Sequence, residues 1–201
     1  MRQTDTSQDA AAVELGHLLY RKALIRREDE PITDPRGRPI GWLLDTRIPM
    51  LEPSIFNEVG RVLFAKLRQR DISQIAGFGY GAFPVVCAVL GATSDGSISG
   101  GFIREKRKTH GRQRRIEGPI HTSRSVVLLD DILNSGQSAE RAVYVLREEG
   151  FRVDGCMTLF NFTWGGGRAR LERLGVWVDA LLDINLREPS SSYEPVGSDF
   201  V

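Results

Sequence analysis

The chain has 201 residues, and its 27 Lys and Arg against 26 Asp and Glu give a formal net charge of +1. With 41% hydrophobic and 26% charged residues, this is the balance of a soluble globular protein of one domain, or of one domain with an appendage. It argues against a nucleic-acid binder that is basic throughout. No apolar run approaches the roughly 20 residues that cross a membrane, and the N-terminus lacks a secretory signal pattern. Because Cys87 and Cys156 lie in apolar stretches, we expect two reduced core thiols in a cytoplasmic protein.

The first third of the chain predicts two helices separated by a loop. Residues 8–27 carry a helical apolar stripe, and residues 28–41 are rich in Pro, Gly and Asp, which is typical of a loop or a short hairpin. The run WLLDTRI predicts a short extended segment. A second helix is expected to start at Pro53 and to run to about residue 69.

From there on, predicted strands and helices alternate, which predicts a parallel sheet with helices on both faces. The run SVVLL is apolar at every position, as in a strand buried on both faces. Ligands of such sheets bind beyond the C-terminal ends of the strands, and three chemically distinctive segments fall there: residues 77–82, 130–138 and 161–167. The predicted strands lie in ISQIAGFGY, GGFIREK, SVVLLDD, FRVDGCMTLFNF and VWVDALLDI, and the helices in AFPVVCAVLGA, SAERAVYVLREEG and GGRARLERLG.

The strongest chemical signal is VVLLDDILNSGQSAERA, residues 126–142. Asp130 and Asp131 end the predicted strand, and the turn 134–138 opens a helix whose free N–H groups and dipole favour an anion. Gly136 lets the chain approach a phosphate closely. Two carboxylates beside it could accept hydrogen bonds from vicinal hydroxyls and help hold a hydrated Mg²⁺, which together describe a site for a ribose 5-phosphate. The alternative is an ordinary Asp- and Asn-rich turn that caps a helix.

This segment resembles the phosphoribosyl-pyrophosphate (PRPP) motif of type I phosphoribosyltransferases, although it departs at Asn134 and Gln137. Two further segments resemble the orotate phosphoribosyltransferases within that family. Residues 101–118 match their mobile catalytic loop, and residues 32–47 match their base-binding segment. GFGYGAFP resembles the pyrophosphate loop, with Gly81 after Tyr80 where many members carry Lys. The residues that fit the loop and the base segment are Phe102, Arg104, Lys108, His110, Gly111, Gly37, Arg38, Trp42, Asp45 and Arg47.

The resemblance implies an α/β fold with a central parallel sheet of five strands flanked by helices. It also implies a small N-terminal hood at residues 1–50, a core at 51–187 and a C-terminal tail at 188–201. The implied activity is transfer of ribose 5-phosphate from PRPP to a planar nitrogenous base with release of pyrophosphate, with Mg²⁺ and as a homodimer. The catalytic residues would be Arg104, Lys106, Lys108, His110, Asp130 and Asp131, and the two Asp would also lie near the metal. The PRPP-binding residues would be Tyr80, Gly81, Asp130, Asp131, Asn134, Ser135, Gly136, Gln137 and Ser138. The base pocket would be formed by Arg38, Trp42, Phe162 and Trp164.

The largest departure lies after the Cys156 strand, where orotate enzymes typically have Asp-Arg-Gln and this chain has NFTW. The Arg of that motif helps to hold the orotate carboxylate. With Phe162 and Trp164 in its place, we expect a more apolar pocket that prefers a less acidic planar base. The alternative is that Arg36, Arg38 or Arg168 takes over the carboxylate.

The competing functional class is a protein of this fold that binds PRPP as a signal and regulates a nucleic-acid partner without catalysis. Glu105, which stands where the family usually has Lys, and the altered base site would fit that role. Retention of Arg104, Lys108 and His110 argues against it, because a sensor has no need of a closing catalytic loop.

Overall fold

The computed structural model describes residues 6–33, 37–93, 95–106 and 114–185. Lys108, His110, Gly111, Arg36 and the predicted tail at 188–201 therefore lie outside the described residues. In chain order the elements are α1 (Thr6–Ala23), β1 (Leu24–Arg26), β2 (Trp42–Leu44), α2 (Arg47–Met50), α3 (Pro53–Gln69), β3 (Gln74–Phe78), α4 (Ala82–Ala92), β4 (Ser99–Ile103), β5 (Ile116–Glu117), β6 (Val126–Leu133), α5 (Gln137–Glu148), β7 (Val153–Phe162), α6 (Gly167–Glu172) and β8 (Trp177–Ile184).

The main sheet has six strands in the order β5-β4-β3-β6-β7-β8. The five strands β4, β3, β6, β7 and β8 run parallel to one another. This confirms the predicted parallel α/β sheet. The sixth strand, β5, pairs antiparallel with β4 at the edge. It was not expected, because two residues are too few to produce a strand pattern in sequence.

The central strand β6 is covered on both faces. Val127 and Leu129 belong to a core cluster that includes residues of α1, α3 and α4, whereas Val126 and Leu128 belong to a second cluster with α5 and α6. Alternate residues of a strand point to opposite faces, so an all-apolar run is what this position requires. The prediction from SVVLL is confirmed.

The N-terminal segment differs from its prediction. The first helix ends at Ala23 rather than at residue 27, and Leu24–Arg26 forms β1, which pairs antiparallel with β2. The helical prediction for residues 24–27 was wrong because pairing with a strand distant in sequence overrides a weak local preference. The predicted loop or hairpin lies between the two strands and contains an isolated bridge between Thr33 and Pro39. The second helix begins at Pro53 as predicted.

The two cysteines have different environments. Cys156 on β7 is fully buried, and burial raises the pKa of its thiol. Cys87 is exposed on α4, so its prediction as a core thiol was wrong. The helix α4 is apolar almost throughout, and only contacts with α3 and the sheet decide which side faces inward. Among the helices of the described ranges, none is long and apolar enough to cross a membrane.

Candidate active site

Three loops meet at one edge of the sheet. The strands β3, β6 and β7 are parallel neighbours, so their C-terminal ends lie side by side. The loops that follow them contain the Tyr80–Gly81 segment, the 134–136 turn and the 163–166 segment. This is the edge at which open α/β sheets bind ligands, and it gathers the three segments that the sequence singled out.

The acidic pair lies within β6, which continues past it to Leu133. The backbone N–H of Asp131 donates to Oδ1 of Asp130 over 2.9 Å. Thr158 is buried, and its Oγ1 donates a hydrogen bond to the carbonyl oxygen of Asp131 over 2.9 Å. Burial, and next the charge of Asp131, raise the pKa of Asp130 well above its usual range. Hydroxyl donors or a cation near this pair would stabilise its ionised form.

The turn after β6 forms a small cavity at the start of α5. The cavity has a volume of about 100 Å³ and is lined by Asp130 and residues 132–139. Gly136, which precedes the helix, has φ 73°, a left-handed conformation that favours glycine. The structure thus brings Asp130 and the turn 134–138 together in one cavity, whereas Asp131 is not among its lining residues.

Arg170 on α6 stabilises this turn. Its Nε donates to the carbonyl oxygen of Ser135 over 2.8 Å, and its Nη1 donates to Oε2 of Glu140 over 2.8 Å. The guanidinium therefore fixes the turn and places a positive charge next to it, although the pairing with Glu140 offsets part of that charge. Sequence reasoning missed Arg170, because an Arg in a polar helix is most often a solvated surface residue.

Three of the four residues predicted for the base pocket form one aromatic cluster. The rings of Trp42 and Phe162 meet edge to face with centroids 5.9 Å apart. Those of Phe162 and Trp164 stack with centroids 4.7 Å apart and planes 16° apart. Phe162 is buried, whereas Trp164 is 47% exposed. The fourth predicted residue, Arg38, is exposed next to the bridge residue Pro39.

Arg168, a candidate to replace the missing carboxylate-binding Arg, is engaged elsewhere. Its Nη2 lies 2.8 Å from Oδ1 of Asp183, and its Nη1 donates to the carbonyl oxygen of Val178 over 2.7 Å. Asp183 also accepts a hydrogen bond from Nδ2 of buried Asn161 over 2.8 Å. Arg168 therefore ties α6 to β8, and binding a substrate carboxylate would cost these bonds.

Arg47 has a partner of its own. Its guanidinium binds both carboxylate oxygens of Asp45 over 2.7 Å. The hydrogen bonds from Arg47 lower the pKa of Asp45, so this carboxylate stays ionised and keeps its partner at neutral pH. The Asp45-x-Arg47 pattern noted in the sequence is thus an internal ion pair.

The basic loop starts and ends on paired strands. Arg104 follows β4, and its backbone N–H donates to the carbonyl oxygen of Arg115 over 2.9 Å, directly before β5. Nη1 of Arg104 lies 3.6 Å from Oε1 of Glu117, and Lys106 is exposed. Both ends of the loop are thereby fixed at the sheet edge that β4 and β5 form.

Thr46 was also missed by sequence reasoning. It is buried, and its Oγ1 donates to Oδ2 of Asp131 over 2.5 Å. Tyr80, predicted at the pyrophosphate loop, is 84% exposed. A Cβ added to its neighbour Gly81 would overlap the carboxyl group of Asp131. No local pattern in the sequence indicates either contact with Asp131.

Comparison with known proteins connects this site to a family. No family model matches the chain. An orotate phosphoribosyltransferase of Corynebacterium glutamicum (strain R) is 32% identical over 156 residues, which cover 77% of this chain and 82% of the relative. One of Listeria monocytogenes is 28% identical over 179 residues, which cover 85% of this chain and 84% of the relative. A crystal structure of Mycobacterium tuberculosis orotate phosphoribosyltransferase in complex with Fe(III) dicitrate matches with a TM-score of 0.75 and 27% identity, over 87% of this chain and 97% of that one.

The parallel sheet, the acidic pair and the turn that opens α5 define the type I phosphoribosyltransferase class, whose members are glycosyltransferases. The resemblance noted in the sequence is confirmed. The chain belongs to the orotate phosphoribosyltransferase family.

Proposed function

We propose that the protein transfers ribose 5-phosphate from PRPP to a planar nitrogenous base and releases pyrophosphate. The observation that carries this proposal is the cavity shared by Asp130 and the turn at the start of α5. Helix N-termini bind phosphate through free N–H groups and the helix dipole, and carboxylates accept hydrogen bonds from hydroxyls. A ribose 5-phosphate carries a phosphate and a vicinal diol on one small molecule, which is the pair of groups that such a cavity can bind.

Each segment of the site has a proposed role. The pair Asp130 and Asp131 binds the ribose hydroxyls, and the turn 134–138 binds the 5-phosphate. Tyr80 and Gly81 lie at the pyrophosphate. The cationic residues that meet the leaving group are Arg104, Lys106, Lys108 and His110, the last two in the loop that closes over the site.

The chemical step depends on the orientation of the base and PRPP and on the exclusion of water, and it uses no covalent intermediate with the protein. A ring nitrogen of the base attacks C1 of the ribose with its lone pair, and the bond from C1 to the diphosphate oxygen breaks. The electron pair leaves with pyrophosphate, and the proton of the base nitrogen passes to solvent. Since C1 develops positive charge, water must be kept out while the base is held in line.

Mg²⁺ fits the residues of this site as a metal carried in with the substrate. No cluster of three or more His, Cys, Asp or Glu suited to a metal occurs in the described part of the chain. Mg²⁺ commonly keeps several waters and binds one or two carboxylates together with substrate phosphates, which matches Asp130 and Asp131. When bound, the ion neutralises charge on the diphosphate as a Lewis acid.

We further propose that orotate is a poor substrate and that a less acidic planar base is preferred. Trp42, Phe162 and Trp164 offer ring faces and edges to a base but no cation to a carboxylate. Arg168 is engaged with Asp183. Removing water from a carboxylate without a charged partner is unfavourable, by about 1.5–3 kcal/mol for each lost hydrogen bond to a charged group.

The test is a panel of bases, including orotate and uncharged pyrimidines and purines, incubated with PRPP and Mg²⁺ while pyrophosphate release is measured. We expect release with an uncharged base and weak release with orotate. Phe162→Arg should improve orotate turnover, and Trp164→Arg serves as a second variant because that side chain is exposed. Tyr144→Arg adds the same charge at an exposed position of α5 and should change nothing. Efficient orotate turnover by the wild type would overturn the choice of base.

The same assay decides between the enzyme and the PRPP-sensing regulator. The family assignment favours the enzyme. PRPP binding with no pyrophosphate release for any base would favour the regulator. The homodimer and the cytoplasmic location stay predictions, and light scattering of the purified protein tests the first.

A further inference from the structure

The hydroxyl of Thr46 connects the N-terminal part of the chain to the acidic pair. Thr46 is 2% exposed, and its Oγ1 lies 2.5 Å from Oδ2 of Asp131, 85 positions further along the chain. A hydrogen bond to an ionised group is stronger than one between neutral groups. This hydrogen bond therefore gives the Asp131 carboxylate a direction that the protein itself defines.

Thr46 does not serve its own helix. It stands at the N-cap position of α2, where Thr commonly bonds to a helix N–H, yet its side chain makes no capping bond. Instead, Oδ1 of the neighbouring Asp45 accepts the N–H of Arg47 over 3.1 Å. The cap is thus supplied by Asp45, and the Thr46 hydroxyl is left for Asp131.

Gly81 limits the Asp131 carboxylate on another side. Its backbone dihedrals of φ −68° and ψ −33° are open to any residue, so glycine is not needed for the conformation. A Cβ there would overlap Cγ and both carboxylate oxygens of Asp131. The absence of a side chain at residue 81 is what allows the carboxylate to occupy this space.

The backbone of Asp131 is held as well. Its carbonyl oxygen accepts a hydrogen bond from Thr158 and its N–H donates to Asp130, both over 2.9 Å. With the backbone fixed and Gly81 at its side, rotation of the side chain is the freedom that remains. Thr46 removes it while leaving further acceptor positions of the carboxylate open to a ligand.

We propose that Thr46 is a positioning residue for phosphoribosyl transfer, which holds the Asp131 carboxylate against Gly81 in the orientation that binds the ribose hydroxyls. This rests on the proposed function, in which Asp131 contacts PRPP. Thr46 acts through Asp131 and touches no substrate itself.

The test compares Thr46→Val, which keeps the shape and loses the hydroxyl, with Thr46→Ser, which keeps the hydroxyl. Thr93→Val is the matched control, because the Thr93 hydroxyl also makes one hydrogen bond, to the carbonyl oxygen of Val89 at the end of α4. We expect Thr46→Val to raise the KM for PRPP and the calorimetric Kd on the order of tenfold, with a smaller change in kcat at saturating PRPP. Thr46→Ser should restore both, and Thr93→Val should change neither.

A purely structural role would give a different result. Thr46→Val would then lower the melting temperature, as Thr93→Val does, without separating KM from kcat. A wild-type KM for PRPP in folded Thr46→Val overturns the proposal. If the wild type binds no PRPP in calorimetry, the proposed function fails instead, and the two failures are thus distinguishable.

A second pair of variants covers the case in which Thr46→Val does not fold. Gly81→Ala displaces the same carboxylate, whereas Gly91→Ala, near the end of α4 and outside the proposed site, adds a Cβ in ordinary contact with Phe56 at 3.9 Å. Where Thr46→Val folds, its combination with Gly81→Ala gives a double-mutant cycle. Both residues act on one carboxylate, so their effects on PRPP affinity should not add. A Gly81→Ala enzyme with unchanged PRPP affinity, or additive effects in the cycle, would contradict the proposal.

Discussion

The backbone N–H of Gly167 donates a hydrogen bond to the carbonyl oxygen of Asn134 over 2.9 Å. The loop after β7 is therefore bonded to the turn after β6. A Cβ at Gly165 or at Gly167 would overlap Asn134, so the close approach requires glycine at both positions. Trp164 of the aromatic cluster lies in the first loop and the proposed phosphate site lies in the second, so we expect a change in one loop to affect the other.

Replacement of Gly165 tests this contact. Gly165→Ala pushes against the Asn134 backbone, and overpacking of this kind costs about 1–3 kcal/mol of stability. We expect weaker PRPP binding in calorimetry together with a lower free energy of unfolding in urea. Gly91→Ala, whose Cβ would make only an ordinary contact with Phe56 at 3.9 Å, should keep the wild-type PRPP affinity and lose no stability. Equal PRPP affinity of the Gly165→Ala protein would show that the two loops are independent.

Removal of both carboxylates tests the core of the proposed function. The double variant Asp130→Asn and Asp131→Asn keeps the shape and the acceptor oxygens but loses the charge that binds hydroxyls and Mg²⁺. We expect a large loss of PRPP affinity by calorimetry with an unchanged circular dichroism spectrum, since neither residue belongs to the two apolar core clusters. Unchanged affinity would remove the acidic pair from the site.

The raised pKa of Asp130 predicts a pH-dependent penalty on stability. Burial and the charge of Asp131 keep a proton on Asp130 in the folded protein at pH values where the unfolded chain has released it. Stability should therefore fall as pH rises from the unfolded pKa through the folded one. Asp130→Asn, measured with EDTA and without PRPP, should melt above the wild type at about pH 8 and close to it near pH 4.

The control for this experiment is Asp154→Asn, because the Asp154 carboxylate pairs with Arg152 at 3.0 Å and lies outside the site. It should show no melting advantage over the wild type at pH 8. A difference between Asp130→Asn and the wild type that is equal at both pH values would contradict the titration and point to a packing effect.

Ligand binding should protect the basic loop. Between residues 104 and 115 the sequence holds seven Lys or Arg and one Glu, and like charges come together only when an anion balances them. We expect PRPP with Mg²⁺ to slow amide hydrogen exchange across residues 105–115. Ribose 5-phosphate, which lacks the diphosphate, should do so less. Equal protection by both ligands would argue that the loop does not meet the leaving group.

Local patterns carried most of what the sequence predicted. The segment that includes β6 and α5 was predicted because an apolar run, two acids and a Gly-containing turn are adjacent in sequence. Thr46 could not be predicted in the same way, since its contact with Asp131 spans 85 positions and a lone Thr has no distinctive neighbours. The role of Arg170 could not be predicted for the same reason, because only the fold brings this residue to Ser135.

The wrong predictions have equally specific causes. The helix expected to reach residue 27 ends at Ala23 because β1 finds a partner in β2. Cys87 was expected inside because α4 is apolar almost all round, and such a helix does not indicate its exposed side. In each case the deciding contact is with an element far away in the chain.

The short antiparallel pair of β4 and β5 limits how far the loop between these strands can extend from the sheet. It brings both ends of residues 104–115 together at one point of the sheet edge, so the segment is a tether of fixed origin. Because the two ends of residues 104–115 are joined, no part of the backbone between them can lie farther from that point than about six extended residues, or about 20 Å. The backbone of the loop must stay within that radius, and lengthening the loop by two residues would extend the radius by only about 3 Å. A second subunit could therefore receive Lys108 or His110 only if its own site lay within this radius plus the length of the side chain.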